Sequence, residues 1–211
     1  MRRVLLHLTI YICGLISVCA GIVLCKKCAM GMSPVSSIPY VLSLALPLTF
    51  GQLTMCFHFV NIAGQMILQK KILIKTSLQI VLALAFSTII DWFDTVIRVN
   101  SDILIFAILS LIFSIIFTAL GMVLMVWADL VQNPVDGFVK QVSDMTALPL
   151  GRVKIFYDIS CVLISFILSF ILLRRLTGFG IATLASAYFV GKCVGWIRLG
   201  AEKVKTNLNR F

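Results

Sequence analysis

Charged residues are scarce in this sequence. They make up 12% of the 211 residues, whereas apolar residues make up 61%. Soluble domains usually have roughly 25% charged and 45–50% apolar residues, so this chain lacks the polar surface to cover a water-soluble globule. The same shortage excludes intrinsic disorder, which needs few apolar residues and a high charge. Because the apolar runs are long and continuous rather than alternating, the sequence predicts an all-α membrane protein.

Acidic residues are especially few. The chain has 8 Asp and Glu against 18 Lys and Arg, which gives a net charge of +10. A basic excess can indicate nucleic-acid binding. Here, however, the cations lie at the ends of the apolar runs, where membrane topology places them. We therefore expect contact with the lipid bilayer and none with nucleic acid.

Six apolar stretches are long enough to cross a bilayer, which needs about 20 residues. They comprise residues 4–24, 50–68, 72–90, 103–127, 155–173 and 179–197. Arg2 and Arg3 precede the first stretch as in a signal peptide, but its length favours a retained span. With an N-terminus inside the cell, most Lys and Arg residues fall on the cytoplasmic side. Both termini are therefore predicted to be cytoplasmic.

Proline is rare, with five in the chain, and two of these residues indicate an internal repeat. A shift of 100 residues places Gly21 on Gly121, Pro34 on Pro134 and Gly51 on Gly151. The repeat predicts one membrane domain of two copies, residues 1–99 and 100–211, with three spans each. Because three is odd, the second copy would enter the membrane from the opposite face. Many secondary transporters contain such inverted repeats.

A short segment joins the first and second spans of each copy. Ser33-Pro34 and Asn133-Pro134 open these segments, and they predict helix starts, because Ser or Asn caps a helix and Pro fits its first turn. Each helix is too short to span the membrane. We expect one to lie at the interface and one to dip into the bilayer. They are either amphipathic connectors or re-entrant elements whose N-termini face an anionic substrate.

A run of small, acidic and proline residues closes the fourth span and opens the connection after it. It consists of Gly121, Leu124, Ala128, Asp129, Asn133, Pro134, Asp136 and Gly137. This run resembles a signature of the YczE/YitT-like bacterial integral membrane proteins, although Val135 stands where that family has Trp. Ser33-Pro34 repeats it in the first copy. The resemblance covers essentially the whole chain and implies a polytopic protein of the bacterial plasma membrane. The signature loops are marked by Ser33, Pro34, Asp129, Asn133, Pro134 and Asp136.

Among the polar residues within the predicted spans, four are candidates for a functional site. They are His58, Asn61, Asp158 and Lys192. Ionisable groups at this depth are costly and usually functional. Lys192 is predicted at nearly the depth of Asp158, so we expect these two to pair, and all four residues to face one central cavity for substrate or a coupling ion. The alternatives are a packing histidine, a structural ion pair and a lysine that snorkels to the interface.

Recognisable catalytic patterns are missing from the sequence. It contains no G-x-x-x-x-G-K-[ST] motif and no zinc-ligand spacing. We therefore predict a secondary transporter, or the substrate-binding membrane subunit of one, rather than an enzyme. It would act on an unknown small molecule without cofactor or metal, with further membrane subunits as candidate partners.

Three alternatives remain open. Lys26 and Lys27 between Cys25 and Cys28 would favour a thiolate, as in a membrane thiol oxidoreductase. Sulfur atoms could instead bind Cu(I). The sulfur ligands would come from Cys28, Met30 and Met32. The third alternative is an accessory scaffold protein of a membrane complex.

Overall fold

The chain forms eight helices in the part that the structure, a computed structural model, describes. The described backbone covers residues 2–70, 74–175 and 177–208, and the described side chains cover 4–70, 74–175 and 177–197. The helices are α1 Arg2–Lys27, α2 Pro34–Ala45, α3 Phe50–Gln69, α4 Ile74–Val96, α5 Leu104–Ala128, α6 Pro134–Thr146, α7 Leu150–Leu168 and α8 Ile181–Leu208. A π-helical turn, Ser169–Leu173, continues α7. The predicted all-α class is confirmed.

Four of the six predicted spans meet the length and hydropathy that a membrane crossing needs. They are Val4–Lys27, Ile74–Val96, Leu104–Ala128 and Leu150–Leu173. The chain is therefore a helical membrane protein. The predicted second span, α3, is 20 residues long but is interrupted by buried polar residues. The predicted sixth span is described as an apolar helix only over Ile181–Ile197. The predicted orientation depends on the cations at the span ends, and several of these have side chains outside the described residues: Arg2, Arg3, Lys71, Arg198 and those of the basic tail.

The two halves have the same order of elements. In each half a long helix is followed by a short helix that begins at a proline, Pro34 in α2 and Pro134 in α6. Ala29 and Asp129, which follow α1 and α5, both have a left-handed backbone, with φ of 56° and 47°. Both predicted helix starts are thus confirmed. Of Ser33 and Asn133, only Asn133 caps its helix through the side chain, because its Oδ1 accepts from the Val135 amide at 3.0 Å.

Helices α1 and α5 run antiparallel and pack closely. Three side chains join them. The His7 ring donates to the Ala128 carbonyl at 3.1 Å, Ser17 Oγ donates to the Phe117 carbonyl at 2.8 Å, and Ser110 Oγ donates to the Leu24 carbonyl at 2.9 Å. As residue numbers rise along α1, those of the partners fall along α5, which defines the opposite direction of the two helices.

Glycines allow the close approach of these two helices. A Cβ atom added at Gly14 would lie 2.9 Å from the Gly121 carbonyl oxygen, and one added at Gly121 would lie 2.5 Å from the Gly14 carbonyl oxygen. A Cβ at Gly21 would lie 2.9 Å from the Ser114 carbonyl oxygen and would also meet Thr118. Small residues at such crossings let membrane helices gain van der Waals contact.

The short helices pack across the two halves. Helix α2 lies against α3 of its own half and α7 of the other, and α6 lies against α7 and α3. Helix α4 packs on α1 and α3, whereas α8 packs mainly on α5. The largest buried cluster, which includes Leu15, Val23, Phe50 and Phe86, fills the space between α1, α3 and α4. The packing of this core therefore depends on the position of α1.

We expect Gly121→Ala to destabilise the fold, because its methyl group would overlap the Gly14 carbonyl. Overpacking of this kind costs about 1–3 kcal/mol. The matched control is Gly191→Ala in α8, where an added Cβ meets no described atom within 4 Å. The measurement is the free energy or midpoint of unfolding in detergent. Equal losses in the two variants would show that the α1–α5 contact is not tight.

Candidate functional site

A line of polar side chains runs along α3 inside the protein. His58, Asn61 and Gln65 are spaced by three and four residues, and each is at most 4% exposed. The spacing predicts one shared helical face, and that face is turned toward other helices rather than lipid. Burial without partners would cost several kcal/mol in a dry interior, so the contacts of each side chain decide its role.

His58 packs against an aromatic ring. Its imidazole meets the edge of Phe86 with the ring centroids 5.1 Å apart and the planes at 89°. Neither ring nitrogen has a hydrogen-bond partner among the described residues. The contact agrees with the packing alternative, whereas a proton-carrying role for His58 stays a prediction.

Asn61 joins α3 to α7. Its Oδ1 accepts a hydrogen bond of 2.7 Å from the Tyr157 hydroxyl, and its Nδ2 donates to the Phe57 carbonyl at 2.8 Å. Tyr157 occupies the position equivalent to Phe57 in the predicted repeat, and its hydroxyl was not recognised as functional in the sequence. The one signal was the change from Phe to Tyr at equivalent positions, which adds a polar atom opposite Asn61.

Gln65 joins α3 to α4 and α6. Its Nε2 donates to Gln79 Oε1 at 2.8 Å and to the Pro134 carbonyl at 2.9 Å, and Gln79 Nε2 returns a bond of 3.2 Å. Gly137 lies against the amide pair, since a Cβ there would be 2.6 Å from Gln65 Oε1. Of the predicted signature residues, Pro134 therefore contributes its carbonyl to the network on α3.

The expected pair of Asp158 and Lys192 is wrong. Lys154, one turn earlier on α7, places its Nζ 3.2 Å from Asp158 Oδ1 and 3.7 Å from Asp136 Oδ1. Lys192 is exposed, and its Nζ lies 4.4 Å from the Tyr188 ring centroid. The physical reason is packing: α7 lies against α2 and α6, whereas α8 lies against α5. Equal depth did not make the two side chains neighbours.

One cavity in the described part of the chain lies away from the four predicted residues. It holds about 310 Å³. It is lined by Lys26, Ala29, Gly31, Met32, Tyr40, Thr177, Gly178 and Phe179. The expectation that His58, Asn61, Asp158 and Lys192 line one central cavity is therefore not met by this space. Their part in substrate or ion coupling stays a prediction.

Two backbone segments from opposite halves build the cavity wall. The Met32 amide donates to the Gly178 carbonyl at 3.0 Å, and the Ala182 amide donates to the Met30 carbonyl at 3.0 Å. Gly31 and Gly178 have φ of 114° and 89°, a left-handed backbone that favours glycine. The sequence patterns did not predict these two turns, because the turns depend on backbone conformation rather than on reactive side chains.

Positive charge exceeds negative charge beside this cavity. Lys26 Nζ lies 2.7 Å from Asp94 Oδ2, and Lys27 Nζ lies 2.9 Å from Asp94 Oδ1. Lys26 also lies over the Phe50 ring, 5.1 Å from its centroid. Two ammonium groups thus share one carboxylate, and only Lys26 is among the residues that line the cavity.

The cysteines near the end of α1 are buried. Cys25 and Cys28 are 2% and 1% exposed, and both are free thiols. Cys28 Sγ donates to the Cys25 carbonyl at 3.0 Å, and Cys25 Sγ donates to the Gly31 carbonyl at 3.6 Å. A reactive cysteine needs partial exposure, so this burial does not favour the thiol oxidoreductase alternative.

A family model matches residues 5–199, and it describes a family of unknown function, DUF6198. The chain belongs to this family. No curated protein and no solved structure matches the DUF6198 chain. The family match does not bear on the resemblance to the YczE/YitT-like proteins, which stays a prediction.

We expect Tyr157→Phe to weaken the joint between α3 and α7, because Asn61 Oδ1 loses its donor. The loss should be about 1 kcal/mol of unfolding free energy in detergent. Tyr188→Phe is the control, since Tyr188 is 56% exposed and its ring contact with Lys192 would remain. In an Asn61→Ala background the Tyr157→Phe change should cost less. If the cost is the same in both backgrounds, the two side chains are not coupled.

Proposed function

We propose that this DUF6198 chain is a secondary transporter for a small molecule, or the substrate-binding membrane subunit of one. The proposal includes a location in the bacterial plasma membrane, with both termini in the cytoplasm. The observation that carries it is the reciprocal contact between α1 and α5. Gly14 meets Gly121, and Gly21 meets Ser114.

The two contacts are related by the predicted repeat. Adding 100 to Gly14 gives Ser114, and subtracting 100 from Gly121 gives Gly21. One contact thus becomes the other when the halves are exchanged, as expected of a two-fold axis between antiparallel helices. Ser17 and Phe117, themselves equivalent, touch each other at 2.8 Å. This arrangement supports an inverted repeat, in which substrate binds between the halves.

The exchanged short helices support the same mechanism. Helix α2 lies on α7 and α6 lies on α3, so each half holds the short helix of the other. In a carrier of this kind, one half rocks against the other, and a site between them opens to either side of the membrane. The cavity fits this role because its lining comes from α1, α2 and the connection between them in one half, and from Thr177, Gly178 and Phe179 in the other.

The orientation of the two halves is tested by reporter fusions at equivalent points. We expect alkaline phosphatase fused after residue 30 to be active, because that point would lie outside the cell. Fusion after residue 130 should be inactive, because the equivalent point of the second half would lie inside. A fluorescent protein, which folds only in the cytoplasm, should give the opposite pair of results. The same result at both points would contradict the inverted repeat.

Transport itself is tested without a known substrate. Proteoliposomes loaded with a mixture of organic acids, amines, sugars and amino acids are diluted into empty buffer, and the released solutes are identified by mass spectrometry. We expect one class to leave faster than from protein-free liposomes. Gly121→Ala should slow this release because it disturbs the α1–α5 contact, whereas Gly191→Ala should not. A solute that binds without crossing would indicate the binding-subunit form. If no solute is bound and none is released, the proposal is wrong.

A further inference from the structure

The lining of the cavity includes one positively charged side chain. Lys26 lines it, and Asp94 is the carboxylate that both Lys26 and Lys27 contact, so one positive charge remains uncompensated. Arg175, two residues before Thr177 in the chain, adds a further positive charge to this segment. The Lys26 side chain is only 20% exposed, and a partly buried ammonium forms stronger bonds to an anion than a fully solvated one does. The charge therefore favours an anionic ligand.

The rest of the cavity wall suits an apolar or aromatic body. Tyr40 and Phe179 contribute rings, and Met32 contributes a thioether. Tyr40 and Thr177 are lining residues that also carry hydroxyl groups. A volume of about 310 Å³ lies at the small end of the range of roughly 300–1,000 Å³ for ligand pockets. The space accommodates a small molecule but not a nucleotide or a peptide.

We propose that this cavity is a binding site for a small aromatic or apolar carboxylate, whose anionic group contacts Lys26 and whose body lies between Tyr40 and Phe179. The inference rests on the proposed transport function and names its substrate class. The site is formed by both halves of the chain, so movement of one half against the other would open or close it.

Binding of radiolabelled benzoate to the purified protein in phosphatidylcholine nanodiscs tests the site, with empty nanodiscs subtracted. We expect saturable binding, competition by 3-phenylpropionate, and none by benzyl alcohol or benzylamine. Lys26→Gln should weaken binding by at least about tenfold, because a charge-assisted bond is lost. Lys26→Arg should retain most of it.

Lys140→Gln is the matched control. It removes one positive charge, as Lys26→Gln does, but Lys140 is exposed on α6 and is not among the lining residues. Its benzoate affinity should stay within about threefold of the unchanged protein, by the small effect expected of a charge outside the site. Equal loss in Lys26→Gln and Lys140→Gln would overturn the proposal, since the effect would then come from overall charge. Matching unfolding midpoints in detergent show that all variants are folded.

Two further outcomes distinguish this inference from the proposed function. Saturable benzoate binding without release from any liposome supports the site and contradicts transport. Release of a solute that does not displace benzoate supports transport and overturns the site. Nanodiscs with added phosphatidylglycerol separate a lipid headgroup from a free solute. If phosphatidylglycerol binds through Lys26 and benzoate does not, the cavity holds lipid and the proposal is wrong.

Discussion

The contact between α1 and α5 is the constraint on which the other helices depend. Inside a bilayer the lipid is as apolar as the helix surface, so association relies on close packing and on hydrogen bonds between helices. Gly14 and Gly121 allow the close packing, and serine hydroxyls that donate to carbonyls of the facing helix form the hydrogen bonds. Helix α4 then packs on α1 as well as on α3, and α8 packs mainly on α5, so two of the outer helices contact this central pair directly.

The polar face of α3 explains how a helix of modest hydropathy can belong to a membrane protein. Its amides are not turned to lipid, because Asn61 bonds to Tyr157 and Gln65 bonds to Gln79 and to a carbonyl of α6. A buried amide without partners would be costly, whereas a satisfied one fixes which helices lie together. The network therefore joins α3 to α4, α6 and α7 and fixes the position of the short helix α6.

Local features of the fold could be predicted from the sequence, but which helices pack against each other could not. The starts of α2 and α6 follow from Pro34 and Pro134, because the fixed φ of proline acts within one turn, and at α6 the Asn133 cap adds to it. The expected pair of Asp158 and Lys192 relied on equal depth, which says nothing about which helices adjoin. The cavity was missed for another reason: its wall is made of left-handed turns at Gly31 and Gly178, whose meeting depends on the whole chain.

The π-helical turn at the end of α7 has a geometric consequence. With it the helix runs for 24 residues, Leu150–Leu173, compared with 20 in α3, Phe50–Gln69. The four extra residues are slightly more than one turn of an α-helix, which has 3.6 residues. The third helix of the second half is therefore longer than its counterpart α3 by roughly 6 Å, at about 1.5 Å per residue. The two halves are thus unequal in length although alike in plan, and the added length leads directly into the segment that closes one side of the cavity.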